Sequence, residues 1–234
     1  MFTIQFIDNI FFEYKNLCSE GRLGNSLPVF LRQGDLDGAC GLYSLIMLLI
    51  IHKKIDLEDL TWKINDDDPL CIVRLKKLLL FSIKGIRTSG ISLSDLQGLL
   101  LKIFDDSINV DLFYDSLFGG DDKILHYVIR TQLDRGYPVL LSYRREIGGH
   151  IVVAIGYTML EGIMRLYCLD PSRKASWCNF WNNIIDVKIY GSVKDYPDYD
   201  HGDRINVKVD GILIIEDEKC VEICFPFNDT PLPF

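Results

Sequence analysis

No block of lysine and arginine occurs in this 234-residue chain, whose formal net charge is −8. Neutralising a phosphate backbone needs a basic face, so a general nucleic-acid binder is excluded, and an anionic membrane surface is disfavoured for the same reason. A cationic peptide or protein partner remains compatible with that charge. Long apolar runs are missing too. The longest is Leu45–Ile51, far short of the ~20 residues that span a bilayer. Met1–Tyr14 has no basic region followed by an apolar stretch, so no signal peptide is expected. The seven cysteines are odd in number and lack paired spacing, which excludes a disulfide framework and favours a reducing, cytoplasmic setting. Internal repeats, low-complexity segments and linkers are absent, so residues 1–234 are expected to form one domain of undetermined oligomeric state.

What is present is ordinary globular composition, 48% hydrophobic and 25% charged. At this length roughly 70% of the unfolded surface can be buried, so no staples are needed. Residues 1–31 are mixed: Phe2–Ile7 alternates weakly, Phe11–Asn16 reads as a short helix, and Gly21–Pro28 and Gln33–Ala39 read as loops. Cys40–Lys53 is apolar on nearly every face, as in a buried helix. Asp56–Ile64 and Leu70–Leu80 are expected to be helical. Ser92 or Ser94 is placed to cap a helix over Asp95–Phe104. Ile108–Phe113 alternates like a strand. Asp121 and Asp122 precede a helix over Ile124–Asp134, which Gly136 is placed to stop.

Beyond Pro138 the period becomes that of strands. Val139–Tyr143, Ile151–Gly156, Met164–Leu169 and Val207–Ile215 are four of them. Turn signals stand at Gly148–Gly149, Glu161–Gly162, Pro171–Ser172 and Asp210–Gly211. Asp195–Asp203 reads as an acidic loop, and Phe225–Phe234, with three prolines, as an irregular tail. A helical first half and a sheet second half predict an α+β fold: helices packed on an antiparallel sheet, with a cleft between the two layers.

Three short segments carry chemistry. The first, Gln33 to Gly41, ends in a cysteine that opens the buried helix. Cys40 there receives the positive end of the helix dipole and unpaired backbone N–H groups, which lower a thiol pKa. Gly38 and Gly41 allow a tight turn and keep side chains off the sulfur, while Gln33 supplies an amide donor. The second segment, Gly148-Gly149-His150, puts an imidazole at the mouth of a strand. The third, Cys168-Leu169-Asp170-Pro171, ends the next strand with a carboxylate. If those strands form a hairpin, Asp170 can accept from one ring nitrogen while the other faces the thiol. A free thiol of pKa ~8.5 is about 3% thiolate at neutral pH, so full ionisation gives at most roughly a thirtyfold gain. Enzymes accelerate reactions by at least ~10⁶, and one oxyanion donor is worth about 10²–10³. Positioning and oxyanion donors must therefore carry most of any catalysis.

These segments resemble the papain-like cysteine peptidase superfamily. They share the pattern of its bacterial branch, which includes bacteriocin-leader-processing peptidases and related cytoplasmic or effector proteases. The matching positions are Gln33, Cys40-Gly41, Gly149-His150 followed by Ile151-Val152-Val153, and Asp170-Pro171. The plant-type Cys-Gly-Ser-Cys-Trp run is absent. The resemblance implies a papain-like fold and a Cys40, His150, Asp170 triad, with Gln33 at the oxyanion hole. It implies a peptide or protein substrate passing Gly38, Gly148 and Gly149, no cofactor and no metal, and action in the cytoplasm or after delivery as an effector. A transglutaminase or deamidase uses the same triad, and a non-catalytic binding module could keep the scaffold.

The bland alternatives are specific. Taken singly, Cys40 reads as a buried thiol, His150 as a satisfied structural histidine and Asp170 as a turn residue. His52 is expected to end the central helix, and His126 to be structural. Cys220 and Cys224 lack the partner pair a zinc site needs. Asp198, Asp200, His201 and Asp203 read as a solvated acidic loop before a calcium loop. Trp177 and Trp181 either shield the His–Asp pair or pack in the core.

Overall fold

The computed structural model describes residues 3–34, 38–61, 63–114, 122–145, 148–176, 178–188, 196–200 and 203–216. Asp35, Asp37, Asp121, Trp177, His201, Cys220, Cys224 and the tail over 225–234 lie outside them.

The chain begins with strands: β1 (Gln5–Phe6), β2 (Ile10–Glu13), β3 (Asn16–Glu20) and β4 (Ser26–Pro28). β2, β3 and β4 form a small three-stranded antiparallel sheet. The helix expected over Phe11–Asn16 is therefore a hairpin. Tyr14 and Lys15 both adopt positive φ, 46° and 68°, between the paired residues Glu13 and Asn16. Such a two-residue turn usually announces itself with Asn or Gly, and this one has neither. The loop expected over Gly21–Pro28 likewise ends in a strand.

The helices follow: α1 (Cys40–Ile51), α2 (Leu70–Ser89), α3 (Leu93–Phe104) and, later, α4 (Asp122–Asp134). Every residue of α1 from Leu45 to Ile51 is buried, as its all-round apolar pattern requires. His52 caps its C-terminus, its N–H bonding the Leu48 carbonyl at 3.0 Å. Ser92 caps α3 in a reciprocal box with Asp95. The helix expected over Asp56–Ile64 is only a 3₁₀ turn at Leu57–Leu60, and α2 runs beyond Leu80.

The large sheet contains β5 (Asn109–Tyr114), β6 (Val139–Arg145), β7 (Gly148–Leu160), β8 (Ile163–Leu169), β9 (Asn183–Lys188), β10 (Tyr196–Asp200) and β11 (Asp203–Glu216), together with β1. All its pairings are antiparallel, in the order β1-β7-β6-β11-β10-β9-β8, with β5 beside β11. Because β8 also pairs β7, the strands β7, β6, β11, β10, β9 and β8 close into a ring. The protein is thus α+β, with helices mostly in the first half and sheet mostly in the second.

Three readings of the second half change. Within the acidic loop expected over Asp195–Asp203, Tyr196–Asp200 is a strand: β10 and β11 pair from Tyr196↔Val207 to Asp200↔Asp203. Asp210–Gly211 is not a turn but a register shift within β11. A glycine inside a strand often marks such a bulge or a close approach. Here a Cβ on Gly211 would lie 2.7 Å from the Phe113 carbonyl oxygen. Gly148–Gly149 opens β7 itself. β9 was not anticipated, since Asn183, Asp186 and Lys188 are poor strand formers.

β7 organises the sheet. Its first half pairs β6, its second half pairs β8, and Phe6 of β1 sits opposite Gly156. A Cβ on Gly156 would meet Phe6 Cδ1 at 2.4 Å and the Gln5 carbonyl oxygen at 2.5 Å. Gly156→Ala should therefore displace β1 and cost about 1–3 kcal/mol, as overpacking does. Urea denaturation of the variant against wild type measures it, and an unchanged midpoint would refute the close-approach argument.

Candidate active site

The site forms where the start of α1 meets the start of β7. Cys40 is the first residue of α1 and half buried. One turn on, Ser44 is fully buried and its hydroxyl donates to the Ile151 carbonyl at 2.9 Å. That bond, between elements far apart in sequence, pins α1 to the residue after His150. Gly41 allows the approach, because a Cβ there would lie 2.5 Å from Ile91 Cγ2 and 3.1 Å from Ile151 Cδ1. Its role is close packing, and the chain turns at Ala39, between Gly38 and Gly41, to enter α1.

His150 reaches Asp170 through the β7–β8 pairing. Val153 pairs Leu169, and continuing that register sets Ser172 level with His150. The imidazole Nε2 donates to Asp170 Oδ1 at 2.7 Å, which leaves Nδ1 for the thiol. The Cys40 thiol lies close enough to His150 for each group to shift the other's protonation. Tyr143, opposite His150 on β6, meets the imidazole edge-on with ring centroids 5.5 Å apart.

Asp170 is fully buried and held on all sides. Its Oδ1 also accepts from the Ser172 N–H at 2.9 Å and the Ser172 hydroxyl at 2.7 Å. Oδ2 accepts from Asn183 Nδ2 at 3.3 Å and forms an ion pair with Arg173 Nε at 3.2 Å. Asn182 clasps its main chain, accepting from the Asp170 N–H at 2.7 Å and donating to its carbonyl at 2.9 Å. A buried carboxylate is tolerable only with such partners. Gln33 lies beside this loop, its N–H bonding the Pro171 carbonyl at 2.9 Å.

The electrostatics follow from these contacts. Burial pushes Asp170 up, but the His150 hydrogen bond and charge, Ser172 and Arg173 outweigh it and hold the carboxyl at about 2. Burial pushes His150 down, but its bonds to Asp170 and Cys40 and their charges raise it to about 9. Burial likewise pushes the Cys40 thiol up. The His150 bond and charge, with the Ile151 and Gly41 backbone N–H groups, more than offset that and leave it below its ordinary value. The thiol is shifted down and the imidazole up, the directions that favour moving a proton from sulfur to nitrogen, and the two titrate as a coupled pair. Such a pair is a nucleophile beside a proton donor.

The sequence-derived triad thus comes together, with Gln33 beside it. Gly38, Gly148 and Gly149 are exposed. Gly148 has φ 120°, a conformation other residues rarely adopt. Trp181 stacks on Phe6 at 5.5 Å and packs on Tyr167 at 4.5 Å, so it packs the fold. His126 is structural, its Nε2 donating to the Lys188 carbonyl at 2.8 Å. Among the described residues no cluster of three or more His, Cys, Asp or Glu could hold a metal ion, and no helix is long and apolar enough to cross a membrane. Ser44, Tyr143, Arg173, Asn182 and Asn183 were not anticipated. Of the Asp170 partners only Ser172 had a signal, the Asp-Pro-Ser turn pattern. No protein-family profile and no curated protein matches the chain.

Iodoacetamide should label Cys40 well below pH 8 and faster than the exposed Cys178. Asp170→Asn keeps the shape but removes the charge that raises His150, so it should move the Cys40 labelling midpoint upward by about one pH unit. Mass spectrometry of labelled peptides across pH reads both, and equal labelling of the two thiols would remove the ion pair.

Proposed function

We propose that this protein is a papain-like cysteine peptidase. The observation that carries the reading is the contact between a half-exposed thiol on the helical layer and an imidazole on the sheet layer, backed by a buried, multiply bonded carboxylate. A structural histidine needs one partner. This one faces a thiol as well as an anchored carboxylate, as acyl transfer requires.

In the proposed reaction Cys40 Sγ bonds to the substrate carbonyl carbon, and the C=O electron pair moves to oxygen. The Gln33 side chain and the Cys40 backbone N–H are the proposed donors to that oxyanion. His150 gives its proton to the amine nitrogen as the C–N bond breaks, leaving a thioester. Water, deprotonated by His150, then attacks the thioester carbonyl, and loss of sulfur restores the thiolate. Asp170 keeps its charge throughout and orients the ring. The exposed Gly38, Gly148 and Gly149 leave the rim open to an extended peptide.

Terminal profiling of a proteome treated with wild type or Cys40→Ala tests the reading. New N-termini should appear with wild type and vanish with the variant. His150→Ala should reduce cleavage by at least ~10³, and Asp170→Asn by less. Identical profiles would end the peptidase assignment, while ammonia release without new termini would transfer the same triad to deamidation.

A further inference from the structure

A cavity of about 440 Å³ opens between the small β2-β3-β4 sheet and the loop that follows Asp170. Among the described residues its charged lining is Lys15, Arg32 and Lys174, with no acidic side chain. In a chain of net charge −8, a cleft bearing cations alone is a local inversion of sign. All three cations are exposed, and charges of one sign around a concavity focus a positive potential there that attracts an anion. Among the described residues neither Lys15 nor Lys174 has a carboxylate partner, whereas Lys53 and Lys76 are each paired with one. The remaining wall combines apolar surface, including Phe30 and Trp181, with the polar side chains of Asn16 and Asn179. Apolar walls with a few convergent polar groups are the usual make-up of a ligand pocket.

The cavity adjoins the candidate active site. Arg32 precedes Gln33 in the chain, and Leu169, also in the lining, precedes Asp170. Asn182 lines the cavity and holds the Asp170 main chain. An extended peptide crossing the site past the His150–Asp170 pair would reach it within a few residues. We propose, building on the peptidase reading, that this cavity is a specificity subsite for a carboxylate, supplied by an acidic side chain or a free C-terminus of the substrate. Specificity of this kind comes from charge complementarity in a cleft with apolar walls, where a neutral amide of the same shape leaves Lys15 and Lys174 without a counter-charge.

The test uses binding, so it does not depend on turnover. Fluorescent nonapeptide pools, blocked at both ends, carry Glu or Gln at one fixed position among randomised neutral residues. A third pool keeps Gln but has a free C-terminus. Each is titrated against the full-length Cys40→Ala protein by polarisation. The Glu pool should bind about tenfold more tightly than the blocked Gln pool, and the preference should shrink between about 50 mM and about 500 mM salt. An equal gain for the free-C-terminus pool alone would assign the carboxylate to the peptide end. Lys15→Glu/Lys174→Glu should abolish or invert the preference, and Lys15→Gln/Lys174→Gln, which adds no repulsion, should remove most of it. Equal binding of all pools, or a preference that survives charge reversal, overturns the subsite. Acid-selective binding by a protein that cleaves nothing would sustain the subsite while overturning the peptidase reading.

Discussion

A helix without a polar face can only be stable inside. α1 is that helix, and its burial against β7 is the constraint on which the rest depends. Apolar burial is non-directional, so it brings the helix inward without setting its height along the strand. The Ser44 hydroxyl does that. Its bond to the Ile151 carbonyl is directional and lies in the interior, where a lost partner is costly. With Gly41 permitting close approach, the first residue of α1 is delivered to the imidazole.

The carboxylate end of the site is built on the opposite principle. The thiol is half buried. Asp170 is sealed, its two oxygens shared among His150, Ser172, Arg173 and Asn183. Burial opposes the charge on all three members of the triad, and the mutual contacts reverse that opposition. The charge state therefore belongs to the assembled site. The N-terminal strands take part indirectly. Phe6 stacks on Trp181, and Phe12 on Phe180 with centroids 5.0 Å apart, so they brace the segment that ends in Asn182 and Asn183.

Legibility differed by element, for physical reasons. α3, α4 and the strands β6, β7, β8 and β11 carry clear periodicity, α1 is an unbroken apolar run, and their order gave the α+β class. Phe11–Asn16 misled because its turn places ordinary residues, Tyr14 and Lys15, at positive φ, where tertiary packing overrides local preference. Asp210–Gly211 looked like a turn because a bulge and a turn use the same residues. The acidic run near Asp198 looked solvated, yet backbone pairing with β11 and β9 makes it a strand. Strand identity there is decided by neighbours on both flanks, which a local window does not contain.

The sequence by itself determined the ingredients: a cysteine at the head of an all-apolar helix, a histidine opening a strand, and an aspartate closing the next. These are local facts, because helical and strand periods and turn chemistry are properties of neighbouring residues. Only the tertiary structure decided that the three meet, which nitrogen of His150 faces Asp170, and that Ser172, Arg173 and Asn183 hold the carboxylate. It also gathered Lys15, Arg32 and Lys174 around one cavity from separate stretches of an acidic chain. Hydrogen bonds and fields act through space, over a few ångströms, between residues that may be more than a hundred positions apart, as Ser44 and Ile151 are.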